Sequence, residues 1–412
     1  MHVRTLPCSA AQRSCRTRHA RQCVITRARA PLPKVDGKTT MPPDAVKEVF
    51  GCTVVQRVSR ISAAQRTLEG EHAAHPLFKD PLGAELGGPY GMAVATRGLE
   101  LFEEECGAGL HTYLAVRTYA VDQAIKAGVQ ELQARFPSAS HIQVMGLGAG
   151  MDTRPWRLQG LGDVVWFDVD AASALSAKLR KLTEAGAQIE GAQGLSSTTP
   201  VPPQYPLLCK SYSTVAWDVL ARGAAQTTLK EALTKPATQA HTAEPGSEPA
   251  IEQAIAQPAV SFDPALPTVW VGEGIGMYMA RIESVISLWQ DAARLSPPGG
   301  AKVVLTVTSG EVRAAYQRGI KEKNLPTSLA FCDYTHSLED FVTGGATTPD
   351  SPNLMHELGW HLDALSGDFQ HMDLPAEREQ SPRIYPYFGS YVVNDYLKKL
   401  DTFERLAVFS RM

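Results

Sequence analysis

The stretch that decides the fold reads His141-Ile142-Gln143-Val144-Met145-Gly146-Leu147-Gly148-Ala149-Gly150-Met151-Asp152-Thr153-Arg154. An apolar strand runs into Gly-x-Gly-x-Gly, and glycines let the backbone come very close to a ligand. Asp170 stands at the end of the next apolar run, where a carboxylate can accept hydrogen bonds from both ribose hydroxyls. The stretch predicts an adenosine site bound by Gly146, Gly148, Gly150 and Asp170. A cap on the strand end is the other interpretation of Asp170.

Two kinds of adenosine ligand compete for such a loop. The dinucleotide fingerprint Gly-x-Gly-x-x-Gly needs a third glycine, but that position holds Met151 counted from Gly146 and Thr153 counted from Gly148. The missing glycine lets the helix N-terminus approach a pyrophosphate, a group that S-adenosylmethionine lacks. The residues therefore favour S-adenosylmethionine over NAD as the cofactor.

Further apolar runs alternate with helical stretches on both sides of the loop. The strand candidates are residues 141–147, 164–169, 213–216, 268–271, 302–307 and 387–393, and residues 79–140 are predicted to be mainly helical. Continuous apolar strands separated by helices predict an α/β fold, with a parallel sheet covered by helices on both faces.

The charge of the chain is distributed unevenly. Its 412 residues carry a formal net charge of −3, yet residues 1–30 contain seven arginines and no acidic residue. The remainder therefore carries a charge of about −10 and would repel nucleic-acid phosphates, so no nucleic-acid partner is expected. An Arg-rich segment without an apolar core is typical of a chloroplast or mitochondrial transit peptide. The alternative is a disordered basic arm on a cytoplasmic protein.

Composition also predicts the domain organisation. Residues 1–40 form the predicted transit or disordered segment, and residues 41–412 a single domain with a polar surface insertion at 221–262. No apolar run is long enough for a membrane span. The seven cysteines and eleven histidines show no metal-ligand spacing, so no metal site is predicted.

Several motifs resemble the leucine carboxyl methyltransferase family of class I S-adenosylmethionine-dependent O-methyltransferases. The resemblance covers roughly residues 75–310, and its motifs are Asp80-Pro81, Arg117-Thr118, residues 148–154, Arg157-Leu158, residues 167–170 and residues 271–279. The family implies a Rossmann-like seven-stranded methyltransferase sheet with an added helical lid, which residues 75–140 would supply.

The resemblance also implies roles for individual residues. Arg117 would meet the donor's carboxylate, Asp218 and the Val219 backbone would flank the adenine, and Glu273 would line the donor pocket. Tyr278 would face the substrate and is the candidate catalytic residue, although a core aromatic is an equal interpretation.

The expected function is methylation of a carboxylate of a small molecule or peptide end. Such an acceptor is ionised at neutral pH and needs no general base, which agrees with the lack of an obvious His or Cys base motif. Two other hypotheses remain open: a nucleotide-dependent oxidoreductase of the NAD type, and a non-catalytic interaction protein on a methyltransferase fold.

Overall fold

A computed structural model describes residues 34–35, 38–39, 41–106, 109, 111–189, 203–220, 228–234, 260–279, 282–308, 314, 354–368 and 404–412. The chain divides into two compact units, Met1–Thr40 and Met41–Met412. In the first unit, strand β1 (Lys34–Val35) pairs antiparallel with β2 (Lys38–Thr39). The predicted transit segment, residues 1–30, lies outside the described residues.

The second unit is built on one seven-stranded sheet. Its strands are β3 (Ile142–Leu147), β4 (Val164–Asp170), β5 (Ser211–Ala216), β6 (Thr268–Gly272), β7 (Ala301–Thr308), β8 (Trp360–Asp368) and β9 (Glu404–Arg411). The order across the sheet is β5-β4-β3-β6-β7-β9-β8. Strands β3 to β7 run parallel, whereas β9 is antiparallel to both β7 and β8. The predicted α/β fold with a Rossmann-like seven-stranded sheet is confirmed.

The strand order decides where a ligand can bind. The chain runs from β3 outwards through β4 to β5 on one side, and then crosses to β6 and β7 on the other side of β3. The strand order therefore reverses at β3. In parallel sheets, ligands bind outside the carboxyl ends of the strands at such a switch point. The glycine loop follows β3 and Asp170 ends β4, so the fold brings both to this edge.

Helices cover both faces of the sheet. They are α1 (Pro43–Glu48), α2 (Val54–His72), α3 (Gly83–Cys106), α4 (Tyr113–Arg135), α5 (Arg154–Arg157), α6 (Ala172–Glu184), α7 (Leu229–Leu233), α8 (Ile282–Arg294) and α9 (Leu354–Glu357). Alternate residues of β3 enter different cores. Val144 packs with α4 and α6 on one face, and Met145 packs with α7 and α8 on the other. No helix within the described ranges is long and apolar enough to cross a membrane.

The predicted helical region holds α3 and α4, but the sequence did not predict α2. The buried face of α2 includes Arg60, Arg66 and Glu69 beside small alanines, so it lacks the apolar periodicity that marks an amphipathic helix. Helix α3 is broken at Gly88, which has a φ of 62° and precedes Pro89. The freed amide of Tyr90 donates to Glu48 of α1 at 3.0 Å.

The prediction of a surface insertion at 221–262 is wrong for residues 228–234. These residues form α7, which begins with a capping box between Thr228 and Glu231. Leu229 and Leu233 are buried in the core that contains α8, because a capped helical turn presents both of them on one side. Of the remainder, only residues 260–262 are described, and the predicted strand at 387–393 lies outside the described ranges.

Candidate active site

The glycine loop is held against the end of β4. The amide of Gly148 donates to the carbonyl of Val169 at 2.8 Å. Gly148 and Gly150 have φ values of 60° and 48°, a backbone region that residues with a Cβ rarely adopt. A Cβ on Gly148 would lie 2.6 Å from Cγ2 of Ile275, and one on Gly150 would lie 2.9 Å from Cβ of Ser59. Both positions therefore require glycine, and α2, through Ser59, lies directly over the loop.

Asp170 touches this loop through its carboxylate. Oδ2 accepts the Gly150 amide at 2.8 Å, and Oδ1 accepts the Ala171 amide at 2.7 Å. Burial raises the pKa of this carboxyl above its ordinary value, and the two amides oppose the rise. A carboxylate has about four acceptor sites, so Asp170 keeps capacity for ribose hydroxyls. Bare loop backbone beside a half-buried carboxylate fits an adenosyl group.

The structure brings Val219 to the loop and keeps Gly146 inside the sheet. Val219 is buried, and its Cγ1 lies 4.0 Å from the position of a Cβ on Gly148. Asp218 precedes it, two residues after the end of β5, and accepts a hydrogen bond from the Leu220 amide at 2.8 Å. Gly146 is paired with Asp168 and Val271 within β3. Its predicted contact with the cofactor, like the other predicted roles, stays a prediction.

Glu273 follows β6 and is shared by two arginines. Its Oε1 accepts a hydrogen bond from Nε of Arg117 at 3.0 Å, and its Oε2 accepts one from Nη2 of Arg154 at 2.7 Å. Burial alone would raise its pKa, but the charges of Arg154 and Arg117 outweigh burial and lower it to about 2. Glu273 is therefore ionised at neutral pH. Its predicted place in the lining of the donor pocket stays a prediction.

Arg154 is the central cation of the site. It binds Glu273, Asp122 of α4 at 2.6 Å and Asp152 at 2.9 Å. Asp152 also accepts a hydrogen bond from the backbone amide of Arg154 at 3.0 Å, just before α5, whose N-cap residue is Thr153. Burial is the largest single effect on Asp152 and works against its charge, but Arg154 together with Lys178, Arg66 and Arg157 holds the pKa of that carboxyl well below its ordinary range. The sequence places Arg154 next to Asp152, but it does not predict the ion pair between Arg154 and Asp122.

A second ion cluster joins α2 to the far side of the glycine loop. Arg66 of α2 donates to Oδ2 of Asp80 at 2.7 Å and to the carbonyl of Met151 at 2.5 Å. The same Asp80 oxygen accepts the hydroxyl of Thr153 at 2.6 Å. The Asp-Pro motif therefore ties α2 to the glycine loop, which is a positional role that the sequence alone did not suggest.

Tyr278 lies in a short 3-10 turn at Gly276–Tyr278 and packs partly buried against the core. Burial raises its pKa to about 12, opposed by the charge of Arg117 and reinforced by that of Glu404. Its hydroxyl therefore keeps its proton at neutral pH and can act as a hydrogen-bond donor. The charges of Arg117 and Glu404 both act on the Tyr278 hydroxyl. Its predicted role towards the substrate stays a prediction.

Comparison with protein families decides the assignment. A profile of leucine carboxyl methyltransferases matches residues 59–288, more than half of the chain. This chain belongs to the leucine carboxyl methyltransferase family. It is an S-adenosylmethionine-dependent methyltransferase. The match includes the glycine loop, Asp170, Glu273 and Tyr278 but ends before β7. No curated protein matches the chain.

Solved structures show distant likenesses. A DUF574 family protein from Streptomyces avermitilis is 13% identical with a TM-score of 0.39, covering 82% of this chain and 98% of that one. Magnesium protoporphyrin IX methyltransferase from Synechocystis is 10% identical with a TM-score of 0.32, covering 74% and 90%. A putative sarcosine dimethylglycine methyltransferase from Galdieria sulphuraria is 9% identical with a TM-score of 0.34, covering 72% and 86%.

Proposed function

We propose that this methyltransferase transfers a methyl group to a carboxylate oxygen of a small molecule or a peptide end. The supporting observation is the protonation state of the side chains around the site. Among the described residues of the site, Tyr278 holds its proton, and arginines keep Glu273 and Asp152 ionised with lowered pKa values. These groups are poor bases at neutral pH. A carboxylate acceptor has a reference pKa of about 4 and arrives ionised, so it needs no base.

In this proposal the donor lies across the carboxyl ends of the central strands. Gly148 and Gly150 pass beneath it, Asp170 holds the ribose, Asp218 and Val219 flank the adenine, and Arg117 and Glu273 bind the amino-acid end. Bound S-adenosylmethionine supplies a methyl group on a sulfonium, which is already activated for transfer. The protein therefore contributes binding, alignment and exclusion of water, which together can provide several orders of magnitude in rate.

Tyr278 is proposed to donate its hydroxyl hydrogen to the acceptor oxygen that is not methylated. Changing Tyr278 to Phe removes this hydrogen bond and leaves the aromatic ring in the core. We expect kcat/KM for the acceptor to fall about tenfold, the size of one hydrogen bond of about 1.4 kcal/mol, while the donor Kd stays within twofold. Unchanged acceptor kinetics would assign Tyr278 to packing alone.

The chemistry of the product tests the proposal. Purified protein is incubated with donor carrying a labelled methyl group and fractionated carboxylic acids and peptides, and the products are then treated with mild alkali. A methyl ester releases its label as volatile methanol, whereas a methyl ether or methylamine keeps it. We expect volatile label and a rate that is flat between about pH 6 and 8. Label that survives alkali would refute the proposed acceptor class.

We also propose that residues 1–30 direct the protein into a chloroplast or mitochondrion. The support is their composition, seven arginines without one acidic residue, which suits import signals. Residues 1–40 are fused to a fluorescent reporter, with a control in which the seven arginines are replaced by glutamine. Organellar fluorescence that the control loses is expected. Diffuse fluorescence from both fusions would refute the transit peptide and favour the disordered basic arm.

A further inference from the structure

The last strand of the sheet places a carboxylate beside the donor site. Glu404 is the first residue of β9 and is fully buried. Its Oε2 lies 3.4 Å from Nη1 of Arg117 and accepts a hydrogen bond from the hydroxyl of Tyr113. Tyr113 and Arg117 are four residues apart on α4, so one helical turn presents both groups to the same carboxylate. Strand β9 lies outside the family match, which ends at residue 288.

Arg117 is fixed from several directions. Glu273 accepts its Nε and Glu404 lies at its Nη1. The backbone of Gly274, with a φ of 67°, lies against the guanidinium, since a Cβ there would be 3.6 Å from Nη1 and 3.7 Å from Nη2. No residue in the described ranges accepts a hydrogen bond from Nη2. The side chain is 12% exposed, so this edge is the one left for a ligand.

We propose that Glu404, with Tyr113, is a positioning residue that holds Arg117 ready for the α-carboxylate of the methyl donor. The inference rests on the proposed donor site, in which Arg117 meets that carboxylate. Fixing a long cationic side chain before the ligand arrives removes the cost of ordering it during binding. Glu404 acts through Arg117 in this arrangement and does not itself touch the donor.

The sign of the effect separates this role from simple electrostatics. Glu404 and the donor carboxylate are both negative, so a purely electrostatic effect of Glu404 would weaken donor binding. Removing Glu404 would then tighten binding. Under the positioning role the same change weakens binding, because Arg117 loses the partner at Nη1. The two explanations therefore predict opposite changes in Kd.

Calorimetry with two ligands provides the main test. S-adenosylmethionine and its decarboxylated form differ only in the carboxylate that Arg117 would bind. We expect Glu404→Ala to raise the Kd of S-adenosylmethionine about tenfold and to change that of the decarboxylated form less than twofold. Glu404→Gln should lie between wild type and Ala, because its amide oxygen still accepts from Tyr113 and Arg117. Equal losses for both ligands, or tighter binding of S-adenosylmethionine, would overturn the inference.

A double-mutant cycle locates the effect. In an Arg117→Ala background, Glu404→Ala should change the S-adenosylmethionine Kd less than twofold, since the residue it positions is gone. A full tenfold loss in that background overturns the inference. If Glu404→Ala does not fold, as its melting curve would show, Tyr113→Phe replaces it. Tyr113→Phe should weaken the binding of S-adenosylmethionine by less than tenfold and leave the Kd of the decarboxylated form nearly unchanged. Equal losses of affinity for both ligands would again overturn the inference.

Asp363 provides the matched control. It lies on β8, beside β9, and its carboxylate is 3.0 Å from Nζ of Lys302 and contacts Ser410, with no contact to Arg117. Asp363→Ala should leave both Kd values within twofold of wild type. The outcomes separate the two proposals: wild-type protein that fails to bind S-adenosylmethionine refutes the donor site itself. If wild type binds normally and Glu404→Ala leaves the ratio of the two Kd values unchanged, only the positioning role is refuted.

Discussion

Three carboxylates at the switch point differ in the partners that hold them. Asp170 is held by the backbone amides of Gly150 and Ala171, Glu273 by two arginines, and Asp152 chiefly by Arg154. Burial raises the pKa of Asp170, whereas the arginines lower those of Glu273 and Asp152. Replacing an acid held by neutral amides leaves no unpaired charge behind, whereas replacing an acid held by cations leaves those buried cations without their partner. The three groups therefore respond differently to substitution.

Changing Asp170 to Ala tests the ribose assignment. A hydrogen bond to a charged acceptor contributes about 1.5–3 kcal/mol, so losing those to the ribose should raise the donor Kd about 10–100-fold. The melting temperature should also fall slightly, because the Gly150 and Ala171 amides lose their acceptor. Asp170→Asn keeps one carbonyl acceptor and should bind better than Ala. If both variants bind the donor like wild type, Asp170 is only a strand-end cap.

Glu273 links pH to stability. Its pKa in the folded protein, about 2, lies below its ordinary value of 4.5, so folding favours the ionised form. This contribution is complete above about pH 4.5 and is lost as the pH falls towards 2. Glu273→Gln should therefore melt below wild type at pH 7, and the difference should shrink between pH 4.5 and 2. The exposed Glu357→Gln serves as control and should show no such trend; a constant difference for Glu273→Gln would contradict the ion-pair explanation.

At the scale of elements, two helices differ most from what the sequence suggests. The polar composition around α7 predicts an insertion, yet Leu229 and Leu233 are fully buried. Helix α2 lies over the glycine loop and buries Arg66 against Asp80. In both helices, burial is determined by the neighbouring elements and cannot be predicted from the hydrophobicity of the helix's own sequence.

Helix α7 should contribute to the stability of the core. Leu233→Ala removes a buried side chain that packs in the cluster containing α8, and such changes typically cost about 2–5 kcal/mol. Thermal denaturation should therefore show a drop of several degrees, while Lys230→Ala on the exposed side of the same helix should shift the midpoint little. Equal, small shifts for both variants would indicate that α7 is peripheral to the folded core.

At the scale of the molecule, the boundary at Thr40 and Met41 separates two compact units. Every residue proposed for the site belongs to the second unit. Removing residues 1–40 should therefore leave the melting temperature within about 2 °C and the donor Kd within twofold, since no proposed site contact is removed. Differential scanning calorimetry and titration with S-adenosylhomocysteine measure both. A marked loss of either would mean that the first unit supports the second.

The sequence predicts the parallel half of the sheet better than its antiparallel edge. Strands β3 to β7 are buried on both faces, and all except β5 (Ser211–Ala216) are mostly apolar runs, which is the pattern typical of parallel strands. Strand β9 begins with Glu404 and ends with Arg411, and the apolar–polar alternation of β8 breaks at Ala364-Leu365 and ends in Ser-Gly-Asp. Neither strand therefore shows the continuous apolar run that marks the parallel strands. The glycine loop and Asp170 are local signals. The contact of Glu404 with Arg117 joins residues 287 positions apart, and no local pattern encodes such a pair.

The placement of β9 also constrains the order in which the chain can be assembled. On the ribosome β8 is synthesised first, yet among the described strands it pairs only with β9, which lies between β8 and β7. Until residues 404–411 emerge, β7 lacks its β9 partner among the described strands, and unpaired strand edges favour aggregation during synthesis. A truncation just before residue 404 would remove one strand and also detach β8. Residues 404–411 therefore belong to the interior of the sheet, between β7 and β8.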